Sequence, residues 1–559
     1  MIKRRRKTAA LLSTLGLVLA AAALALDSGA PAAAGRPRTA TIVYTGSIRG
    51  ALEPCGCTSD PLGDVSRLTG VVRRAGSPKN VLLVDAGDLI YPREVPKNRV
   101  EGADLRAEFL ATELSRLPFG GAAIGAADLA AGADKVEPHR LAANWQGVPF
   151  LEPSRIREVG GIRIGILGLA DPALAQRFGG KAEPPAEAAQ REATRLRKEG
   201  AEIVLGLAAL DRATARLVAR TGALDILVIG KDVGDGLPRA DRVASGPRPT
   251  YVVAAAEEMQ RIGRIDLTLF DQDKASIQLV DAGGPEARAA ERAAVKEQLA
   301  KLEADLARWA QDEGADPAFL AARRKERATL AARLSALQKA WQPPTSGASF
   351  TNRLIPLSRA LPRDPALAKA MRRLDAKVGA ANLRRAEPPP KAPPGRGVFV
   401  GDGACAKCHE EAMAFWRKTV HAQAWKTIVV GGKTGFDDCV SCHVTGFGEI
   451  GGSSLGHVKG LTAVQCESCH GPGSIHVAEE GLEDPVAVRL ETPESLCTTC
   501  HNQKHSDTFE YAAYLRDVLG AGHGPKAREK LGPGPTGREL RRAAVAKAKA
   551  AGKAQLRSM

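Results

Sequence analysis

Cysteine and histidine recur in one fixed pattern four times between residues 405 and 501: Cys405-Ala-Lys-Cys408-His409, Cys439-Val-Ser-Cys442-His443, Cys466-Glu-Ser-Cys469-His470 and Cys497-Thr-Thr-Cys500-His501. With only 10 cysteines and 10 histidines in 559 residues, three residues at such fixed positions should coincide on the order of 0.003 times by chance. Four copies therefore mark a built chemistry. Two thiols followed directly by an imidazole suit covalent haem attachment, the cysteines forming thioethers to the vinyl groups and the histidine ligating the iron. Paired Cys-x-x-Cys zinc sites compete with that reading, but zinc needs no histidine immediately after each second cysteine. The pattern predicts four covalently attached haem c groups, with His409, His443, His470 and His501 as iron ligands. An iron that only carries electrons also needs a second axial ligand. His421, His457, His476, His505 and His523 lie outside the motifs and can supply it.

The two other cysteines belong to Glu53-Pro54-Cys55-Gly56-Cys57. Cys55 and Cys57 suit a dithiol/disulfide redox pair or a soft-metal site, and equally a tight structural disulfide in an oxidising compartment.

The elements that must position these groups change character along the chain, and 559 residues exceed one core. From about Thr41 to Gln278, short apolar runs alternate with alanine-rich helical stretches. Thr41-Ile-Val-Tyr, Val81-Leu-Leu-Val-Asp, Ile162 to Leu169, Ile203-Val-Leu-Gly-Leu and Leu224-Asp-Ile-Leu-Val-Ile read as buried strands of an α/β domain. Val295, Leu299, Leu302, Leu306 and Trp309, then Leu330, Leu334, Leu337 and Trp341, repeat at alternating spacings of four and three around a break at Gly314. That spacing predicts an antiparallel coiled-coil hairpin, its second arm capped by Asp316 and Pro317. Asp364 to Asn382 reads as a helix returning to the α/β domain, and Glu387-Pro-Pro-Pro-Lys-Ala-Pro-Pro-Gly as a stiff linker. Nine of the ten histidines and eight of the ten cysteines follow that linker, so the redox chemistry is concentrated there.

The amino terminus sets Lys3 to Lys7 before an apolar, alanine-rich run and small residues at Ala32-Ala33-Ala34, the pattern of a secretory signal or an uncleaved anchor. Export, to the periplasm or beyond, agrees with haem attachment outside the cytoplasm. It also gives the net charge of +16 no nucleic acid to meet. From Gly524 to Met559 the chain is mainly Lys, Arg, Ala and Gly, which predicts a solvated, disordered basic tail.

Two resemblances extend this reading. Tyr44-Thr-Gly-Ser47-Ile-Arg49-Gly, Gly63-Asp-Val-Ser-Arg67-Leu and Val84-Asp85-Ala-Gly87-Asp88 resemble the opening of calcineurin-like metallophosphoesterases of the 5'-nucleotidase type. That family places Asp-x-His where this chain has Ser47-Ile-Arg49, and Gly-Asn-His-Glu at Gly125-Ala126-Ala127-Asp128. Its lone histidine falls near Ala209 and its Gly-His-x-His at Gly230-Lys231-Asp232-Val233. Only Asp88 keeps a ligand, and His139, the domain's single histidine, lies outside every motif. The resemblance implies a retained scaffold without the two-metal hydrolysis that needs several such ligands. Cys55-Gly56-Cys57 near that pocket resembles 5'-nucleotidase-like proteins in which this pair occurs as cysteine or selenocysteine.

Residues Val398 to Gly524 resemble the tetrahaem cytochrome c554 family, through Gly401-Asp-Gly-Ala-Cys405, Trp416 with His421, Cys442-His443-Val-Thr-Gly446-Phe-Gly448 and Val464 to His476. This resemblance implies His421, His476 and His523 as distal ligands, with His457 or His505 left for the fourth iron. The expected organisation is a signal at 1–34, a degenerate phosphoesterase-like domain at 38–282, the hairpin at 284–342 and a return segment with its helix at 343–385. A Pro-rich linker at 386–397, a mainly α multihaem domain at 398–524 and the basic tail at 525–559 complete it. The expected function is electron transfer to redox partner proteins. Reduction of a small nitrogen-oxide-type acceptor at an open haem is the alternative, and active phosphatase chemistry conflicts with the missing ligands.

Overall fold

The computed structural model describes residues 37–559 except Cys55, 132–139, 245–247, 271–276, 284, 312–315, 341, 343, 484–486 and 559. The expected signal at 1–34, Cys55, His139, Gly314 and Trp341 lie outside the described residues.

The five apolar runs do form strands, because each is buried on both faces and must pair laterally to satisfy its backbone. They fall into two sheets. One has eight strands in the order Leu279–Asp281, Ala348–Pro356, Arg261–Leu269, Arg38–Thr45, Val81–Asp85, Phe119–Ala123, Arg140–Leu141, Leu151–Glu152. The other has six, in the order Asp241–Val243, Thr250–Val253, Ile226–Ile229, Ile203–Ala209, Ile162–Ala170, Ser154–Val159. Ile42 pairs in parallel with Leu82 and antiparallel with Ile265, so the first strand is central. Ile42, Tyr44, Val84, Ile164, Ile166, Leu205 and Val228 belong to one buried cluster drawn from both sheets, which therefore pack face to face.

Helices cover the outer faces. α1 (Val65–Arg74) and α2 (Val100–Ser115) contribute Leu68, Val71, Leu110 and Leu114 to the outer face of the eight-stranded sheet. α3 (Pro185–Lys198) and α4 (Arg212–Arg220) set Ala189, Ala193, Leu196 and Val218 on the other sheet. Each fully buried Leu or Val among them contributes about 1.5–3 kcal/mol relative to exposure. The result is a four-layer α/β sandwich.

α5 (Pro285–Trp309) and α6 (Pro317–Gln338) leave the sheet after Leu279–Asp281 and return before Ala348–Pro356, its parallel neighbour. Their pairing is antiparallel: Arg327 Nε reaches Glu303 at 2.9 Å, and Arg333 Nε reaches Glu291 at 2.8 Å. Asp316 accepts from Ala318 N, giving the expected cap. α7 (Pro365–Arg384), capped by Asp364, buries Met371, Leu374 and Val378 in the cluster beneath α1 and α2.

Between the linker and Gly524 the described residues form only short helices, among them Asp402–Cys405, Asp437–His443, Cys466–His470 and Glu494–Cys497, one at each motif. Its largest apolar cluster is small: Ile428, Val440, Val444 and Leu455.

The expectation of a disordered tail is corrected. Gly537–Ser558 is a helix of 22 residues, and its inward positions, Gly537, Arg541, Ala544, Ala548, Gly552 and Gln555, follow helical spacing. The reason is close approach by small residues: a Cβ on Gly552 would stand 2.6 Å from that of Ala360, and one on Gly537 would strike the Tyr514 ring at 2.5 Å. Gln555 Nε2 donates to Pro356 O at 2.7 Å, and Arg541 donates to Cys57 O at 2.5 Å. A stripe without large apolar residues thus still packs.

Candidate redox site and phosphoesterase-like pocket

The four motifs meet in pairs. The thiols of Cys405 and Cys466 lie against each other, and their interaction pushes Cys405 up and Cys466 down. Cys442 and Cys500 do the same, with Cys500 lowered to about 7. The first motif therefore lies against the third, and the second against the fourth.

Histidine pairs accompany them. The rings of His409 and His476 have centroids 6.3 Å apart and planes within 16°. Those of His421 and His501 are 6.2 Å apart at 38°. Such spacings are too wide for a hydrogen bond between ring nitrogens. They are wide enough for a metal ion held by both rings, given metal–imidazole bonds of about 2 Å each. Burial, then the charge of nearby His470, lowers the His523 pKa. Burial, then His501, lowers His421 to about 4, so this ring is neutral at ordinary pH, the form that ligates a metal.

The second ring nitrogens agree. His443 Nδ1 bonds Ala424 O at 2.6 Å, His470 Nδ1 bonds Arg489 O at 2.6 Å, and His501 Nδ1 meets Ser506 Oγ at 3.1 Å. The two carbonyl contacts fix the tautomer that leaves Nε2 for a metal, and the Ser506 hydroxyl can accept from His501 Nδ1 in the same way. The donor set therefore fits haem iron with paired imidazoles. His457 is not brought to any motif histidine: it is exposed, in a tight turn with Ser454. Among the described residues no second ring pairs with His443 either, while His505 lies near the Cys442 thiol.

In the α/β region the segments aligned by resemblance converge. Ser47 N donates to Gly87 O at 2.8 Å, Arg49 N to Asp88 O at 2.7 Å, and Ala127 N to the Asp88 carboxylate at 2.8 Å. Ser47 Oγ donates to Gly230 O, and a Cβ on Gly87 would lie 2.6 Å from that of Ala209. Asp128 accepts from the amides of Asp88, Leu89, Ile90 and Gly125 and from Arg140, so it serves as a turn anchor. Burial, then Asp128, raises the Asp88 pKa. A residue not foreseen from sequence, Glu257, meets Arg49 at 2.7 and 3.0 Å, setting an internal ion pair beside Ser47 and Asp88. Among the described residues no group of three or more His, Cys, Asp or Glu side chains is placed to hold a metal ion.

Cys57 lies half-buried in a turn whose next residues touch the redox region. Ser59 N donates to Asp507 at 3.0 Å, and Lys504 reaches Glu258 at 3.1 Å. Farther along, Lys433 bridges Glu53 at 2.6 Å and Asp375 at 2.7 Å. Arg99 holds Asp437, the first residue of the second motif's helix, at 2.5 Å.

Residues 404–471, which include the first three motifs, match the family described as cytochrome c554 and c-prime. Cytochrome c-554 of Nitrosomonas europaea is 38% identical over 91 residues, 13% of this chain and 39% of that protein, so the chain spans about two fifths of its curated relative. Among solved structures, the 5'-nucleotidase precursor of Thermus thermophilus is similar at 23% identity over 42% of this chain and 52% of its own, with a TM-score of 0.35. The calcineurin-like phosphoesterase YfkN of Bacillus subtilis is similar at 18% over 43% and 87%, TM-score 0.33. Reduced cytochrome c554 from Nitrosomonas europaea is similar at 25% over 25% and 79%, TM-score 0.16. The chain is thus similar to cytochrome c554 over its motif-bearing stretch and, over its α/β region, to solved structures of the 5'-nucleotidase type. The former likeness is to c-type cytochromes and rests on the stretch that holds the first three motifs.

Proposed function

We propose that this protein is an exported electron carrier holding four haem c groups, joined to a catalytically degenerate phosphoesterase-like region that carries a Cys-Gly-Cys redox motif. The observation behind it is the pairing of imidazoles at single-metal spacing, His409 with His476 and His421 with His501. His523 also stands near His470, close enough for its charge to be felt. Cys405 and Cys408, Cys439 and Cys442, Cys466 and Cys469, and Cys497 and Cys500 would hold the four groups covalently. Bound haem supplies one-electron chemistry, with bis-histidine ligation setting a low potential. The chain's own residues orient the ligands through Ala424, Arg489 and Ser506 and keep His421 half-buried. The two contacting motif pairs favour relay between neighbouring sites and onward to redox partner proteins, with no role for nucleic acid. The region at 284–342 acts as a coiled-coil spacer.

The hold of Asp507 and Arg541 on the Cys57 turn supports communication between Cys55/Cys57 and the haem region. A reversible pair there should follow the haem redox state in thiol trapping at controlled potentials.

A second reading has its own support. His443 has no paired ring among the described residues, so its iron is the one where a small acceptor could bind. A pyridine haemochrome assay with intact mass should give four haems, and electron paramagnetic resonance at least three low-spin centres. A high-spin centre that binds nitric oxide in the native protein would replace the carrier reading with a reductase. Manganese or zinc should elicit no phosphomonoesterase turnover, and turnover lost on Asp88→Asn would show a live hydrolytic site.

A further inference from the structure

The candidate iron ligands differ in what their second nitrogen meets. His443 and His470 bond backbone carbonyls, and His501 meets a hydroxyl. His476 Nδ1 instead meets a carboxylate, Glu483 Oε1, at 2.6 Å. The local chain is built for this contact. The short helix Ser474–Ala478 ends, Gly481 N returns to His476 O at 2.9 Å, and Gly481 turns at φ 74. A Cβ on Gly481 would stand 3.1 Å from His476 Cε1, so the turn wraps close over the ring and delivers Glu483 seven residues on. Ala487 N holds the same carboxylate oxygen at 3.2 Å, and the side chain is 9% exposed. The other oxygen, Oε2, has no hydrogen-bond partner among the described residues, so the carboxylate's charge is directed at His476.

We propose that Glu483 is a positioning residue of the first haem site. By accepting the Nδ1 proton of His476 it fixes Nε2 as the ligating nitrogen and makes that imidazole a stronger donor, which favours ferric over ferrous iron and lowers the midpoint potential of this one haem. The physical basis is the carboxylate–histidine–metal arrangement, in which the outer partner raises ligand basicity. The inference rests on the reading that His409 and His476 ligate one iron.

The test is spectroelectrochemical titration of the full-length holoprotein and four variants. Glu483→Gln keeps a hydrogen-bond acceptor and removes the charge. One midpoint should rise by about tenfold in the ferric/ferrous ratio, about 59 mV for a one-electron couple, and one low-spin resonance should shift while the others hold. Glu479→Gln removes an equal charge from an exposed neighbour that the His476 ring does not contact, and should leave that midpoint in place. No shift in Glu483→Gln, or equal shifts in both variants, overturns the proposal, the second outcome because it reveals only through-space charge. Should Glu483→Gln fail to fold or to retain haem, Glu483→Asp keeps the charge but shortens the reach. It should raise the same midpoint by a smaller factor, and an unchanged midpoint there overturns the proposal as well. His476→Met separates the two layers: if it leaves every low-spin resonance unchanged, the ligand reading fails whatever Glu483 does.

Discussion

The phosphoesterase-like pocket and the haem region solve opposite problems. In the pocket, Ser47, Arg49, Asp88 and Asp232 hold left-handed backbone at φ 50 to 55, a conformation that costs a non-glycine residue of order 1 kcal/mol or more. The buried clusters on both faces of the eight-stranded sheet impose these turns, whatever side chains they carry. In the haem region the apolar cluster is small, and the motif thiols, imidazoles and their carbonyl partners carry the architecture. Backbone geometry is therefore set by the core in the first region, whereas the second, with its small core, leans on its thiols, imidazoles and their partners.

That contrast is most exposed to Cys466→Ala/Cys469→Ala. Cys466 lies against Cys405 in the first motif, so the double substitution should remove one haem from the intact mass and destabilise its neighbour. Melts followed at the Soret band should lose their cooperative transition while the far-ultraviolet transition of the α/β region persists. Arg49→Ala, which breaks the pair with Glu257, should leave both transitions in place and cost about 1–3 kcal/mol in the α/β region alone. If Arg49→Ala proves the more damaging of the two, the comparison is reversed.

Much of this was legible in sequence because the signals were local. Continuous apolar runs such as Ile203–Ala209 are strands that pair in parallel, and Asp316 and Asp364 cap the helices they precede. The motif histidines were legible for the same reason, being fixed by spacing to their cysteines. The ring pairs were another matter. His409 and His476 are 67 positions apart and His421 and His501 are 80, and only the resemblance, not periodicity, pointed to His421 and His476. Glu257 and Glu483 carry no sequence signal beyond being acidic. The terminal helix is not legible in sequence because the positions it buries most are Gly537 and Gly552, whose packing value appears only when a partner surface approaches within van der Waals range.

The pocket's inner carboxylate offers a sharper probe. Burial raises the Asp85 pKa from 3.8 to about 7, against hydrogen bonds from Thr45 and Gly87 that lower it. The folded protein thus binds this proton more tightly than the unfolded chain. The associated stability is fully present below about pH 4 and is lost as pH rises through about 7. Asp85→Asn removes the titration, so relative to wild type the variant should gain on the order of 2 kcal/mol between pH 5 and pH 8. Denaturant melts of both proteins at the two pH values measure it. A wild-type/variant difference that does not move with pH would mean that Asp85 stays ionised, and that the pocket is more open to water than its core suggests.

The smallest effect lies where the two regions share a support. Arg541, on the terminal helix, donates to Cys57 O at 2.5 Å and to Thr58 O at 3.4 Å, while Ser59 is held by Asp507 from the haem region. The Cys57 turn is thus fastened by two segments that follow the haem motifs, although it belongs to the α/β chain. Arg541→Ala should cost about 1 kcal/mol, since the guanidinium is partly exposed and its second contact is long. Hydrogen exchange at the amides of Gly56 to Thr58 should quicken about fivefold, with exchange in the central strands unchanged. Unchanged exchange in the turn would leave Asp507 as its sufficient anchor and reduce the terminal helix to a brace on Pro356 and Ala360. Faster exchange would make the helix a second hold on the loop where Cys57 of the α/β region meets the haem-bearing chain.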